Sequence, residues 1–503
     1  MIPPLPTSPL PRRRTRPLTC LGDAREVDGG GYSKFAQRLP TDYPGRRLVR
    51  KWWEWDYLAE CAETLGLLPD GGTADTRAVG LGVGHEPLIF YFAQRGCSVL
   101  ATDLYAGDTA WSEARFARTE QVLASSPLDY PRDRVEVAHA DMRALPCGDG
   151  EADFVWSCSS IEHVPTLADL FKVLHEIDRV LKPGGYALLT TEFCLGPGPY
   201  LLPGVNAWDA EILGLIRRSF AGFDFVGPDD LSFDALHPAN APRVRRHLPA
   251  GMQQPHATGF AEAFRGGHMG VLLGVSHCVP IAFVLQKTDG HNHTWAEADV
   301  PPHLRAFTDG IDRFEARREA EALPLLQRVY DEARCDPRWR QLALHAGRYV
   351  IDCHARLGAQ RRPAELRRLI EDYLTLCPPG ELQDADCLDL CAYLLGEIGE
   401  LSTSADVARK ALCSPSTSLE HVFALAGRFL KVQKRADQLS EALDEVADLL
   451  ADAAWGGMDG PSFTRNLERE IDPVLSRSQR KAMRKAVRAR VNETTRALAE
   501  RVP

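Results

Sequence analysis

Between Arg77 and Phe193, five short apolar runs each meet a glycine-rich turn or lead to a carboxylate, and this ordered series limits the fold more than any other feature of the chain. The first, Ala78-Val79-Gly80-Leu81, enters Gly82-Val83-Gly84-His85-Glu86-Pro87. The second, Val99-Leu100-Ala101-Thr102, delivers Asp103, 21 residues beyond Gly82. Val135-Glu136-Val137-Ala138-His139-Ala140 ends in Asp141-Met142, and Asp153-Phe154-Val155-Trp156-Ser157-Cys158 leads into Ser159-Ser160-Ile161-Glu162-His163. The last, Tyr186-Ala187-Leu188-Leu189-Thr190-Thr191, follows Leu181-Lys182-Pro183-Gly184-Gly185. Short apolar runs that alternate with helical patterns indicate the buried strands of a parallel, doubly wound sheet.

Each strand end has a physical use. Glycines after the first strand let the backbone approach a ligand, because no Cβ obstructs it. A carboxylate at the second tip, Asp103, can accept hydrogen bonds from both hydroxyls of a ribose. Asp141 at the third is positioned to meet an adenine amine. The Lys-Pro-Gly-Gly segment stops the preceding helix and returns the chain to the sheet. A nicotinamide or flavin site needs Gly-x-Gly-x-x-Gly for its pyrophosphate. That pattern fails in both registers, at His85 when counted from Gly80 and at Pro87 when counted from Gly82.

On these residues the segment from about Trp52 to Lys287 resembles the class I S-adenosylmethionine-dependent methyltransferase family. It departs from the common pattern twice: Gly80 stands where an acidic residue is usual, and Glu86 where a third glycine is usual. The variant Gly-Val-Gly-x-Glu-Pro-Leu, followed by Ala-Thr-Asp-Leu, is similar to a bacterial subgroup found beside glycan and natural-product genes. The resemblance implies a Rossmann-like α/β fold with a mostly parallel seven-stranded sheet and S-adenosylmethionine as cofactor. It implies cofactor contacts from Gly82, Gly84, Glu86, Asp103, Leu104, Asp141, Met142 and Ser157, with Glu86 as a carboxylate near the methionine moiety.

Family members that methylate amide or adenine nitrogens carry an Asn/Asp-Pro-Pro-Tyr/Phe motif after the fourth strand. Here that place holds Ser157-Cys158-Ser159-Ser160-Ile161-Glu162-His163. The expected acceptor is therefore a hydroxyl on a small molecule or glycan, which needs a base near its proton. His163, with an imidazole that titrates near neutral pH, is the candidate. The alternative is a non-catalytic, cofactor-binding scaffold with a helical interaction domain.

At 503 residues the chain is too long for one ordinary core. Residues 1–40 read as a disordered Pro/Arg-rich tail and lead-in, residues 41–290 as the methyltransferase domain, and 300–503 as an α-helical domain with helical-hairpin repeats as one option. Lys51-Trp52-Trp53-Glu54-Trp55 opens an aromatic helix that packs either over the cofactor or simply in the core. Phe223-Asp224-Phe225-Val226 and Ile281-Ala282-Phe283-Val284-Leu285 are the expected last strands, and residues 227–280 between them an acceptor-side insert carrying Asp229, Asp230, His237, His247, His256, His268 and His277. Leu366, Leu369, Ile370, Tyr373 and Leu374, then Leu439, Leu443, Val446 and Leu450, recur at helical spacing.

Thirteen cysteines without a C-x-x-C pair read as reduced thiols of a cytoplasmic protein, and fifteen histidines show no zinc spacing. No run approaches the ~18 apolar residues of a membrane span, and the first 17 residues lack the apolar stretch of a secretory signal. A net charge of −10 disfavours nucleic acid, so the basic run from Arg477 to Arg490 reads as a solvated helix face. A homodimer or protein contact is assigned to the helical half.

Overall fold

The computed structural model describes residues 18–23, 26, 34–40, 49–69, 75–105, 119–195, 199–202, 205–219, 222–227, 229–234, 240, 269–273, 276–288, 301–358, 362–376, 385–413, 419–435, 437–455 and 460–499. The apolar runs of the sequence form the central strands β2 (Arg77–Leu81), β3 (Ser98–Asp103), β4 (Val135–His139), β5 (Ala152–Cys158) and β6 (Leu181–Cys194). The five run parallel to one another, in the spatial order β4-β3-β2-β5-β6. The order reverses between β2 and β5, which opens a crevice beyond their carboxyl ends.

The sheet is larger and more mixed than seven mostly parallel strands. It has ten strands among the described residues, because β1 (Thr19–Leu21), β9 (Phe223–Phe225), β10 (Asp229–Asp230), β11 (Val271–Leu273) and the long antiparallel β12 (Ser276–Lys287) join it. The three residues of β1, in the stretch read as tail and lead-in, pair with β12 and are buried. Three residues are too few to show a periodicity. β9 and β12 are the two last strands expected from the sequence, and they pair with each other. A separate hairpin, β7 (Tyr200–Leu202) and β8 (Val205–Ala207), follows β6.

Lys182-Pro183-Gly184-Gly185 forms a bulge inside β6 rather than a free turn. The register with β5 passes from Ala152↔Leu181 to Phe154↔Tyr186, so four residues are looped out opposite one. Gly184 has φ +80°, and a Cβ on Gly185 would lie 2.9 Å from two backbone oxygens. The glycines satisfy both demands.

Helices cover both faces. On one side lie α1 (Lys34–Arg38), α2 (Val49–Thr64), α3 (Leu88–Gln94) and α4 (Thr119–Ala124), enclosing Trp52, Trp53, Phe90, Phe92, Phe154 and Trp156 in one apolar core. On the other lie α5 (Leu167–Val180) and α6 (Ala210–Ser219). The Thr166 hydroxyl caps α5 by accepting from the Asp169 N–H at 3.1 Å.

From Pro302 onward the described residues are helical: α7 (Pro302–Glu315), α8 (Glu319–Ala333), α9 (Arg340–Arg356), α10 (Pro363–Thr375), α11 (Ala385–Glu397), α12 (Leu401–Cys413), α13 (Leu419–Arg435), α14 (Leu439–Trp455), α15 (Gly460–Asn466) and α16 (Arg477–Ala499). Both periodic segments of the sequence are helices, α10 and α14. At Gly347 in α9 a Cβ would lie 2.7 Å from the rings of Tyr330 and Tyr373, so glycine permits that helix crossing. One continuous apolar cluster runs from the α5–α6 side of the sheet, through Trp208 and Phe283, into Phe307, Leu326, Val350 and the later helices. On α16, Arg484 pairs with Asp472 at 2.5 Å and Arg490 pairs with Asp448, so part of the basic run is neutralised internally. No helix among the described residues is long and apolar enough to cross a membrane.

Candidate active site

Because β2 to β6 run parallel, their carboxyl ends share one edge, and the predicted cofactor residues gather there. Gly82 and Gly84 have φ of +61° and +51°, the left-handed region that favours glycine. A Cβ on Gly82 would lie 2.6 Å from Ser160 Cβ and 3.2 Å from Met142 Cε, so the turn is closely walled. Asp103 accepts from the Gly84 N–H at 2.8 Å and the Leu104 N–H at 2.7 Å. Burial raises its pKa against those hydrogen bonds. Leu104, at the tip of the same strand, is 52% exposed.

These residues fit S-adenosylmethionine. The Asp103 carboxylate meets three backbone N–H groups, those of Gly84, Leu104 and Tyr105, which leaves it acceptor capacity toward the open edge, and Leu104 and Met142 bring apolar side chains to the same edge. Two predicted residues have other engagements. Asp141 meets the Arg143 guanidinium at 2.6 Å and 3.0 Å and accepts from the Arg143 N–H at 2.9 Å. This lowers the pKa of its carboxyl, first through the Arg143 hydrogen bonds. An adenine amine must compete with that fork. Ser157 is buried and donates to the Leu81 carbonyl at 3.1 Å, which ties β5 to β2.

The two departures from the family pattern have a structural cause. A Cβ on Gly80 would run into the Trp156 ring and the Val83 side chain, so Trp156 occupies the space of the usual acidic side chain. Glu86 accepts from Trp156 Nε1 at 2.6 Å and Trp55 Nε1 at 3.3 Å. Burial pushes its carboxyl up to about 7, with the Trp156 hydrogen bond acting in the opposite direction. Of the three tryptophans on α2, Trp55 therefore reaches the glycine turn, while Trp53 stacks on Tyr57 at 5.4 Å.

Beside Glu86 lies a cluster of charge that sequence reasoning missed. α2 contributes Arg50, Lys51 and Glu54; β5 contributes Cys158; the 3-10 turn Ile161–His163 contributes Glu162; and β6 contributes Thr190, Thr191 and Glu192. Lys51 donates to Glu54 at 2.9 Å and to the Cys158 carbonyl at 3.1 Å, and the Cys158 thiol donates to Glu54 at 3.1 Å. Arg50 pairs with Glu192 and, at 3.5 Å, with Glu54. The Thr191 hydroxyl donates to Glu162 at 3.1 Å.

Burial pushes Glu162 and Glu192 up to about 7. Burial acts in the same direction on Glu54, but Lys51 and Arg50 outweigh it and hold that carboxyl low. Burial acts against the Lys51 ammonium, yet its neighbours Cys158, Glu54 and Glu162 raise its pKa overall. At Ser159, where the chain leaves β5 for the turn, φ is +47°, a strained value for a serine. The only sequence signal for the cluster was the Glu-His pair and the polar residues interrupting the aromatic helix.

His163 ends the turn, partly buried, with its N–H donating to the Ser160 carbonyl at 3.0 Å. Glu162 rather than His163 contributes its side chain to the buried acid cluster. In the insert, Asp229 pairs with Arg217 at 2.6 Å, and Asp230 accepts from the Ser232 N–H at 3.1 Å. Burial lowers His277 to about 4. His237, His247, His256 and His268 lie outside the described residues.

Residues 79–189 match the family model described as a methyltransferase domain. Over 202 residues the chain is 28% identical to a sarcosine/dimethylglycine N-methyltransferase of Halorhodospira halochloris, covering 38% of this chain and 68% of that protein. Over 117 residues it is 32% identical to a glycine/sarcosine/dimethylglycine N-methyltransferase of Actinopolyspora halophila, covering 23% of this chain but only 18% of that protein. A solved structure of 1,6-didemethyltoxoflavin-N1-methyltransferase of Burkholderia thailandensis is similar over 44% of this chain and 76% of its own, at 17% identity and a TM-score of 0.28. This chain carries a class I S-adenosylmethionine-dependent methyltransferase domain, and S-adenosylmethionine is its cofactor.

Proposed function

We propose that the chain methylates a basic nitrogen of a small molecule, an amine with an amino-acid-like carboxylate, held over the tips of β5 and β6. The observation that carries this reading is the charge balance of the buried cluster: Glu54, Glu86, Glu162 and Glu192 against Arg50 and Lys51. An excess of carboxyls in a low-dielectric site favours a cation, and a protonated amine restores the balance where a neutral hydroxyl does not. The two amino-acid N-methyltransferases among the relatives support the same choice. This reading replaces the hydroxyl or glycan acceptor expected from the sequence.

S-adenosylmethionine supplies an electrophilic methyl group. The protein's part is to orient the acceptor and remove its proton, because an ammonium has no lone pair for attack. Glu162, with its carboxyl near neutrality, is the proposed base, ahead of His163. Lys51, partly exposed at the rim, is the proposed partner of the acceptor's carboxylate. Asp103, Leu104 and Met142 are the proposed ribose and adenine contacts. Gly82 and Gly84 give backbone access, and Glu86 lies between that turn and the acid cluster.

The test is transfer of radiolabelled methyl from the cofactor into a panel of amines, amino acids, alcohols and glycans. Incorporation into amines and amino acids supports the reading. Label confined to alcohols or glycans overturns it, and cofactor binding without transfer to any fraction of a cell extract favours the scaffold alternative.

A further inference from the structure

Two thiols at the end of the sheet have no part in the reaction above. We propose that Cys194 and Cys278 are a redox modification site, a reversible disulfide that staples β6 to β12, and this inference stands apart from the choice of acceptor. Their sulfur atoms lie 3.3 Å apart, and the two residues are direct Cα partners in the antiparallel ladder. The next pair along, Leu195 and His277, is hydrogen-bonded, with the Leu195 N–H donating to the His277 carbonyl at 2.9 Å. Antiparallel pairs alternate, so Cys194 and Cys278 occupy a non-hydrogen-bonded site, where Cα atoms approach to ~4.5 Å. That spacing lies inside the range a disulfide spans, and the sulfurs need to close only to ~2.05 Å.

The neighbouring thiol on β5 is engaged elsewhere. Cys158 donates to Glu54. The Cys194 N–H points away from β12 and donates to the Trp208 carbonyl at 2.6 Å, while its thiol lies 3.8 Å from the Ala207 carbonyl and nearer, at 3.3 Å, to the Cys278 sulfur. Both thiols are buried, and burial raises the Cys278 pKa well above the ordinary thiol value. Reaction therefore requires a small oxidant and a local opening. The position allows one, since Cys194 is the last residue of β6 and Cys278 the third of β12. Strand ends open at a fraction of the free energy that strand centres require.

The oxidant is hydrogen peroxide. One thiolate attacks the peroxide oxygen, the O–O bond breaks, and a sulfenic acid and water result after proton transfer; the second thiol then attacks the sulfenic sulfur, forming the S–S bond and releasing a second water. Two thiols are oxidised, one peroxide is reduced, and a thiol reductant reverses the change. Glu192, two residues before Cys194 on β6, faces Pro280 in the same ladder, so the staple holds the stretch of β6 that carries Glu192 against β12.

The experiment treats the full chain with graded hydrogen peroxide, alkylates residual thiols after denaturation, and maps peptides without reduction. The exposed Cys335 reports that the oxidant has acted. The expected result is a linked peptide pair containing Cys194 and Cys278, with a melting midpoint raised by about 3 °C or more and restored by dithiothreitol. Cys194→Ser and Cys278→Ser should each lose both the link and the shift. Recovery of both cysteines as alkylated thiols when Cys335 is oxidised, or a link from either one to a different cysteine, overturns the proposal. The wild-type map decides the matter even where a variant folds poorly.

Discussion

The indole N–H of Trp156 donates to the Glu86 carboxylate at 2.6 Å, and the same ring occupies the space beside Gly80. The loss of the usual acid at position 80 and the gain of one at position 86 are therefore two sides of one packing arrangement. A large side chain at position 80 is incompatible with Trp156, and Trp156 in turn orients the carboxylate that the glycine turn carries. Trp156→Phe should leave Glu86 without its shortest hydrogen bond and weaken cofactor binding more than it lowers the melting midpoint. Calorimetry beside thermal melting checks this, and unchanged affinity would separate Glu86 from the cofactor.

Stability should fall as pH rises from about 5 to 8. Burial raises Glu86, Glu162 and Glu192 to about 7 in the folded protein, above the ordinary value of 4.5. Groups raised in this way contribute fully below the unfolded pKa, and their contribution is lost as pH climbs through the folded one. His277, lowered to about 4 by burial, acts in the opposite sense, costing stability as pH drops from 6.5 toward 4. A melting series across pH should therefore show an optimum, and Glu86→Gln should flatten its alkaline limb. Identical limbs in the two proteins would remove Glu86 from the account.

Asp103→Ala should weaken S-adenosylmethionine binding by about 2 kcal/mol or more, the scale of hydrogen bonds to a charged group. The same change leaves the Gly84 and Leu104 N–H groups without their carboxylate acceptor, so the glycine turn loosens as well. Titration calorimetry on folded variant protein is the measurement, and full affinity would mean that the ribose is held elsewhere.

The roles of Glu162 and His163 separate kinetically. With Glu162 as the base, Glu162→Gln should lower kcat by ~100-fold or more with cofactor affinity retained, whereas His163→Ala should cost much less. The reverse order would return the base to His163.

Gly82→Ala should destabilise the cofactor turn. A non-glycine residue in the left-handed region costs about 1 kcal/mol or more, and the new Cβ would lie 2.6 Å from Ser160 Cβ. Reduced cofactor affinity with a modest fall in melting midpoint is the expected outcome, measured on the same preparation.

A fragment of residues 18–288 keeps β1 and α1 together with every proposed cofactor contact and should bind S-adenosylmethionine. It should also melt below the full chain, because the apolar cluster around α5 and α6 continues into the helices beyond Pro302. Equal melting midpoints would show two thermally independent halves. An insoluble fragment rescued by the helical half in trans would show that the helices complete the core.

The parallel centre of the sheet, the placing of Gly82, Gly84 and Asp103 at its carboxyl edge and the helical character of α10 and α14 were legible in the sequence. Those features are local: a strand and its terminal turn lie within about ten residues, and Gly82, Gly84 and Asp103 follow one another along a single β-α-β unit. The tertiary structure alone decided the rest. Arg50, Glu54, Glu162 and Glu192 meet only because α2 crosses the tips of β5 and β6, and contacts between residues more than a hundred positions apart leave no spacing to read. Strand β1 is a strand only because β12 offers it an edge. Gly80 looked like a lost carboxylate until Trp156, 76 residues later, was seen to fill its place. Local chemistry is written in neighbouring residues, whereas the charge balance of a buried site depends on which distant side chains the fold removes from water together.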